Sequence, residues 1–348
     1  MKVLLVKMSS MGDVLHTLPA VSEAAAAIPH LAIHWVVEPD YAALVQHHPA
    51  VQRVIPAALR QWRKQPMHTL CSGTWRQFKQ QLTQESYQVV IDAQGLLKSA
   101  FITRLARGEK WGFDGPSARE PLSSRVLHHK VAVPWEQHAI YRYRQLFARA
   151  LGYELQRPVP TYGLQVAPKE PSASPKILLC HGTTWPNKHW PEAHWRELAQ
   201  RLDAQGWQLF LPHGNEAELQ RAKRIAHGLA GATILPSMGL TELFEHMVTQ
   251  YHGFVAGDTG LAHLAAAAGL PGIMIFGPTD PEYSGIPVGS VVNMGSAHHC
   301  APCMQRTCQY SPQEGAVWPP CMASLTAAKV QKQLETLIAT NISKKERQ

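Results

Sequence analysis

Residues 3–16 read Val3-Leu4-Leu5-Val6-Lys7-Met8-Ser9-Ser10-Met11-Gly12-Asp13-Val14-Leu15-His16. Four apolar residues in an unbroken run predict a strand buried on both faces, as in a parallel sheet. Small and polar residues then turn the chain, and from about Val14 to Ala27 the pattern becomes helical. Strand, loop and helix open a βαβ unit. The rhythm continues with apolar runs at Ile33–Val37 and Val89–Ile91. After a break it restarts: strands at Ile177–Cys180, Gln208–Leu211, Gly253–Ala256 and Ile273–Phe276, with helices near Glu192–Gln205, Glu216–Leu229 and Gly260–Ala268. The reading is an α/β protein with two Rossmann-like domains in tandem.

The break runs from about Gly152 to Pro175 and carries Pro158, Pro160, Pro168, Pro171 and Pro175. Prolines at that density end both helices and central strands. The expected division is residues 1–155, a linker at 156–175, a second domain at 176–325, and a closing helix and tail at 326–348. A chain of 348 residues exceeds the usual span of one core, and a 45% apolar, 17% charged composition suits a globular protein.

The longest apolar stretch, around Leu261–Phe276, is interrupted by Gly269, Pro271 and Gly272, so no membrane span is expected. The N-terminal apolar run is too short for a secretory signal, and the expected location is the cytoplasm. There six cysteines would not pair as disulfides. The net charge of +8 is uneven: residues 1–150 hold 18 Lys and Arg against 10 Asp and Glu, the remainder 15 against 15. A basic N-terminal half attracts nucleic acid, an anionic membrane surface or an acidic small substrate. Aromatic and basic residues do not interleave along a stacking platform, so nucleic acid is not an expected partner.

In open α/β sheets ligands bind beyond the carboxyl ends of the strands, and two such domains facing each other make a cleft with one substrate on each side. The strand-to-helix loops therefore matter most. In the first, Ser10 or Asp13 caps the helix, or Asp13 serves as a general base. After the first strand of the second half, His181-Gly182-Thr183-Thr184-Trp185-Pro186-Asn187-Lys188 places two hydroxyls and a lysine ahead of a helix, either a solvated turn or a phosphate site. Gly257-Asp258-Thr259-Gly260-Leu261-Ala262-His263 opens an Ala-rich helix whose dipole favours a diphosphate, although it is not the GxGxxG fingerprint. His263 reads equally as an ordinary helix histidine. Arg60, Arg63, Lys64 and Arg119 form either a solvated basic surface or a grip on carboxylates and phosphates. Cys300, Cys303, Cys308 and Cys321 have spacing compatible with structural zinc, or pack as small hydrophobes.

Taken together, the loops resemble the lipopolysaccharide heptosyltransferase family. The resemblance is carried by Lys7–Pro19, Asp92-Ala93-Gln94-Gly95-Leu96, Ala118-Arg119-Glu120-Pro121-Leu122, Lys188-His189-Trp190-Pro191, Asp258–His263 and Gly277-Pro278-Thr279-Asp280-Pro281. It spans nearly the whole chain and thins after Pro281. It implies a GT-B glycosyltransferase that inverts the anomeric centre and moves L-glycero-D-manno-heptose from ADP-heptose to Kdo-bearing lipid A at the cytoplasmic face of the inner membrane. Donor binding in the second domain, acceptor binding in the first, peripheral attachment to an anionic membrane and no cofactor or metal requirement follow from it.

Carried over by position, Asp13 resembles the base and Lys188 the charge that supports departure of ADP. Thr183, Thr184 and Lys188 resemble diphosphate contacts, and Asp258, Thr259, Gly260, Leu261 and His263 the donor loop. Glu218 and Met238 would line the nucleoside pocket, with Ser10 among the donor contacts. Arg60, Arg63, Lys64 and Arg119 resemble acceptor-anion contacts. The stretch Glu282–Cys321 looks more like other branches of the family, which leaves a heptose acceptor, or a non-catalytic nucleotide-sugar-binding role, as alternatives.

Overall fold

The computed structural model describes residues 1–65, 72–155, 160–165, 174–312 and 317–345, with the backbone alone for Arg63 and residues 341–345. Of the expected linker, residues 156–159 and 166–173 lie outside the described residues. The chain divides into two compact units, Met1–Gln165 and Val166–Gln348.

The first unit contains β1 (Lys2–Val6), α1 (Met11–Ala27), β2 (Ala32–Val37), α2 (Pro39–Gln46), β3 (Val51–Pro56), α3 (Leu59–Lys64), α4 (Thr74–Thr83), β4 (Ser86–Asp92), α5 (Leu97–Leu105), β5 (Arg107–Phe113), a 3-10 turn (Pro121–Val126), β6 (His129–Val131) and α6 (Ala139–Leu151). The second contains β7 (Lys176–Cys180), a 3-10 turn (Pro186–Lys188), α7 (Glu192–Asp203), β8 (Gln208–Leu211), α8 (Glu216–Ala226), β9 (Ala232–Ile234), α9 (Leu240–Thr249), β10 (Gly253–Gly257), α10 (Gly260–Ala267), β11 (Gly272–Phe276), α11 (Pro281–Ser284), β12 (Val291–Gly295), a 3-10 turn (Pro320–Met322) and α12 (Ala327–Lys345).

Both sheets are wholly parallel and share one topology. The strand order is β3-β2-β1-β4-β5-β6 in the first and, read from the opposite edge, β9-β8-β7-β10-β11-β12 in the second. Each order reverses direction at its centre, between β1 and β4 and between β7 and β10. That reversal opens a crevice at the carboxyl ends of the two central strands, where doubly wound sheets take their ligands. The central strands are buried on both faces because helices cover both sides; Val3–Val6 and Phe254–Ala256 are 0% exposed.

Helix α1 begins at Met11, three residues before the periodicity indicates, because Ser10 caps it. The Ser10 N–H donates to Asp13 Oδ2 at 3.2 Å, a reciprocal half of a capping box. Elements absent from the sequence reading include β5 and α6. β5 alternates exposed Arg107 and Glu109 with partly buried neighbours, and α6 carries three arginines on an amphipathic helix. β5 has no apolar run, so only its pairing with β4 and β6 reveals it.

Residues 160–165 pack on the first unit. Gly163 takes φ +67°, and a Cβ there would collide with Ser22 Oγ and His48 Nε2. His48, 2% exposed, accepts the Ala50 N–H at Nδ1 (3.1 Å) and meets Ser22 Oγ through Nε2 (2.9 Å). This pattern uses the neutral imidazole with its proton on Nε2. Protonating Nδ1 would break the Ala50 bond, and burial pushes the ring down to about 4 from 6.5.

The unfolded chain therefore binds this proton first as pH falls. The stabilisation is full above pH 6.5 and is lost progressively down to about 4, a loss of roughly 3 kcal/mol at about 1.4 kcal/mol per unit. Denaturant unfolding of His48→Gln is expected to depend less on pH across that window than unfolding of the parent. Identical pH dependence would remove His48 from the account.

Candidate functional site

At the reversal in the first sheet, the β1–α1 loop lies against the end of β4. Gln94 holds it: its Oε1 accepts the N–H groups of Met8 (2.9 Å) and Ser9 (3.2 Å), and its Nε2 donates to Ser9 O (2.7 Å). Asp92 in turn holds the Gln94 loop, accepting the N–H groups of Gln94 and Gly95 and the Ser99 hydroxyl. Burial raises the Asp92 carboxyl above its usual range. The Asp92–Leu96 motif is thus the brace of the loop that carries Asp13.

Asp13, in the first turn of α1 and 9% exposed, gathers four groups. Arg119 Nη2 donates to Oδ1 at 3.0 Å and lies 3.3 Å from Oδ2. The Tyr143 hydroxyl, from α6, donates to Oδ1 at 3.1 Å, and the Ser10 hydroxyl donates to Oδ2 at 3.1 Å. Lys7 Nζ stands 3.6 Å from Oδ1 and donates to Tyr143 Oη (2.6 Å) and Ala93 O (3.1 Å). Lys7 is fully buried.

These charges set the proton affinities. Burial opposes ionisation of Asp13, but Lys7 and then Arg119 outweigh it and hold the carboxyl well below the usual carboxylate range. Burial lowers Lys7 to about 8, against the attraction of Asp13 and with help from the repulsion of Arg119. The result is a carboxylate ionised throughout the physiological range, fixed by two cations and two hydroxyls, with a half-exposed guanidinium on its outer side.

The sequence reading treats Arg119 as an acceptor contact; the structure also pairs it with Asp13. Arg60 and Lys64 stand exposed on α3, where Arg60 and Lys98 act electrostatically on the buried Glu38 carboxyl. Among the described residues neither Arg60 nor Lys64 makes an ion pair with the Asp13 group. The Arg63 side chain lies outside the described residues.

At the corresponding reversal in the second sheet, the loop after β7 meets the end of β10. Lys188 Nζ donates to Asp258 Oδ2 at 2.5 Å and lies 4.2 Å from the centre of the Trp185 ring. Thr279 donates to the same Asp258 oxygen at 2.7 Å, and Thr183 Oγ1 to Asp258 O at 3.1 Å. Thr259 caps α10, and Gly260 and Leu261 in its first turn are half-buried, while His263 is 4% exposed. Asp258 thereby holds the loop together, leaving the amino end of α10 and the ammonium of Lys188 as the positive features.

Glu218, in the first turn of α8, accepts the Gly214 N–H at 2.7 Å, and its Oε1 would lie 2.6 Å from a Cβ at Gly182. Glycine at 182 is what lets the Glu218 carboxylate approach the Thr183 loop. Thr184 lines a surface cavity of about 420 Å³ with His189, Arg221 and Trp318, and Met238 is half-buried in the segment before α9.

Of the four cysteines read as a zinc alternative, Cys300, Cys303 and Cys308 all lie near enough to Cys321 to act on its thiol electrostatically. All four are free thiols, and among the described residues no group of three or more His, Cys, Asp or Glu side chains is arranged to hold a metal ion. Cys321 packs into the second unit's core beside Gly277 and Met322, and burial lifts its thiol to about 11. Cys300, Cys303 and Cys308 stay half-buried, with His298 Nδ1 3.2 Å from Cys300 Sγ.

Lys7, Gln94, Tyr143 and Thr279 received no role from sequence. A lysine directly after the apolar run Val3–Val6 is a usable signal for Lys7, because burying an ammonium is costly unless it is paired. Tyr143 had none.

Two doubly wound parallel-sheet units, each with charged groups at its central reversal, define the architecture of a GT-B type glycosyltransferase. The profile of Glycosyltransferase family 9 (heptosyltransferase) matches residues 75–313, and the chain belongs to this family. It is 48% identical over 350 residues to lipopolysaccharide heptosyltransferase 1 of Pseudomonas aeruginosa, covering 97% of this chain and 98% of the relative. With the Escherichia coli K12 protein of the same name it shares 44% over 289 residues, 82% of this chain and 90% of the relative. The solved E. coli heptosyltransferase WaaC with ADP superposes with a TM-score of 0.83 at 38% identity, covering 97% and 100% of the two chains. The chain is a glycosyltransferase of the heptosyltransferase type.

Proposed function

We propose that this enzyme transfers heptose from ADP-heptose to a Kdo residue of Kdo-lipid A, with inversion, in assembly of the lipopolysaccharide inner core. The observation that carries the reading is the Asp13 group: an ionised carboxylate at the central reversal of one unit, matched by Lys188 and a helix amino end at the same place in the other. Similarity to relatives named for this activity, and to a solved heptosyltransferase with ADP-2-deoxy-2-fluoro heptose, supports the donor and acceptor classes.

In this mechanism the acceptor hydroxyl donates a hydrogen bond to Asp13. Its oxygen attacks the anomeric carbon from the face opposite the diphosphate as the bond to the diphosphate oxygen breaks. The proton passes to Asp13, and ADP leaves with the bonding pair. Lys188 and the amino end of α10 offset the charge growing on ADP, aided by Thr183 and Thr184. Glu218 and Met238 line the nucleoside side. The scheme asks for no divalent cation.

A carboxylate held this far below its usual range is a weak base until something relieves it. An anionic acceptor group that engages Arg119 draws charge from Asp13 and strengthens the base only when substrate is present. Arg119→Ala is therefore expected to raise the acceptor KM with little change in donor affinity. It is also expected to move the acid limb of the pH–kcat/KM profile to higher pH, because removing a cation raises the Asp13 pKa. An unchanged acceptor KM together with an unmoved acid limb would remove Arg119 from both roles. Arg60, Arg63 and Lys64 supply further positive charge for the acceptor.

A lipid-borne acceptor places the enzyme at the cytoplasmic face of the inner membrane as a peripheral protein; among the described residues no helix is long and apolar enough to cross a bilayer. The test is incubation with ADP-heptose and Kdo-lipid A in the presence of a chelator, following ADP release and acceptor mass. One heptose added to Kdo supports the reading. Transfer only to an acceptor already bearing heptose would move the enzyme to another branch, and donor binding without transfer to either would overturn a catalytic role.

A further inference from the structure

Six large apolar side chains are strongly exposed among the described residues, and three of them sit together on the first unit: Leu97 at 52%, Phe101 at 53% and Leu122 at 54%. Leu97 and Phe101 are four residues apart on α5 and share its outer face, while Ser99, Ala100, Ile102 and Thr103 face inward. Leu122 stands on the 3-10 turn that packs beside α5, and the Glu120 carboxylate preceding that turn accepts the Leu97 N–H at 2.5 Å. The Trp75 ring stacks on Phe101 at 5.7 Å, extending the apolar surface toward α4.

The charges flanking this patch are cationic. Arg104 emerges from the same helix and Arg125 from the same turn, both exposed, while the Lys98 ammonium donates to the Ser9 hydroxyl at 3.4 Å. Glu120 is the acidic residue nearest in sequence, and it is spent on the backbone of α5. A helix whose outward row is apolar, bordered by basic residues and an interfacial tryptophan, has the composition of a surface that lies in the headgroup region of an anionic bilayer.

We propose that the outer face of α5 and the Pro121–Val126 turn docks this enzyme on anionic phospholipid, with Leu97, Phe101 and Leu122 entering the acyl boundary and Arg104 and Arg125 meeting headgroup phosphates. The proposal deepens the functional reading above, whose acceptor is lipid-borne, by naming the surface that brings the first unit to it. A protein partner would leave the basic border without a stated counterpart, whereas anionic lipid satisfies both features.

The experiment is cosedimentation of the full chain, at low ionic strength, with vesicles of phosphatidylglycerol and phosphatidylcholine or of phosphatidylcholine alone. The parent is expected to bind the anionic vesicles preferentially. Phe101→Ser/Leu122→Ser is expected to bind them about tenfold or more weakly, since each apolar side chain withheld from the acyl boundary loses its transfer energy. Leu122→Glu alone, which leaves the Trp75–Phe101 stack intact, should also weaken binding. Heptose transfer to a deacylated, water-soluble acceptor should be unchanged in these variants.

Equal vesicle binding by parent and variants, or no preference of the parent for anionic vesicles, overturns the proposal. So does a parent that is dimeric by light scattering and becomes monomeric on Leu122→Glu. Because the vesicles carry no acceptor, patch-dependent binding without transfer to any acceptor would leave the surface standing and remove the functional reading instead.

Discussion

Asp13→Asn is expected to fold as the parent does, to bind ADP as the parent does, and to lose turnover by about 10²–10⁴-fold, the range for a lost general base. The fold should survive because asparagine still accepts the Ser10 N–H that Asp13 accepts at 3.2 Å. Lys7 would lose its counter-ion, but its pKa already lies at about 8 and falls further without Asp13. It sheds its proton rather than remaining an unpaired buried charge. Circular dichroism and ADP titration control for structure and donor binding, and ADP release with Kdo-lipid A measures the loss. A folded variant with undiminished turnover would end the assignment of Asp13 as base.

The second large effect is expected at Lys188. Its ammonium sits 2.5 Å from Asp258 Oδ2, in a pair that is mostly buried. In the proposed mechanism Lys188→Ala removes the cation and leaves the Asp258 carboxylate toward the leaving diphosphate with the Thr279 hydroxyl as its remaining partner among the described residues. Loss of attraction and uncovered repulsion act in the same direction, so kcat/KM should fall by at least about 10²–10³-fold. Donor KM should rise as well. The repulsive part is separable: Lys188→Ala/Asp258→Asn should be less impaired than Lys188→Ala alone, a coupling that a double-mutant cycle measures. Unchanged ADP affinity in Lys188→Ala, with no coupling to Asp258, would show that neither residue serves the diphosphate.

Much of the architecture was legible in short stretches. β1, β7, β10 and β11 are runs of four or five apolar residues because both faces are covered, and a doubly covered strand has no polar positions to disguise it. The loops that follow them stood out for the same reason, since the contrast between Val3–Val6 and Ser9-Ser10-Met11-Gly12-Asp13 is sharp. β5 lacks an apolar run, and α6 buries Arg142, Tyr143 and Arg144 among its apolar residues, so the residues those elements contribute carry no local signal of a role. Tyr143 is such a residue, as is the apolar outer row of α5, which as sequence reads like an ordinary core helix.

The sequence by itself determined the α/β class, the repeated βαβ rhythm, the basic character of the first half, and which loops follow the buried central strands. Those properties depend on neighbours within about one helical turn or one strand. The tertiary structure decided what Asp13 is. Its partners Arg119 and Tyr143 lie 106 and 130 residues away, and no local pattern relates them to it. They meet because the parallel order β1-β4-β5-β6 brings the carboxyl ends of distant strands to one edge, where a buried lysine and an arginine fix the charge of a carboxylate that in sequence is only a helix cap.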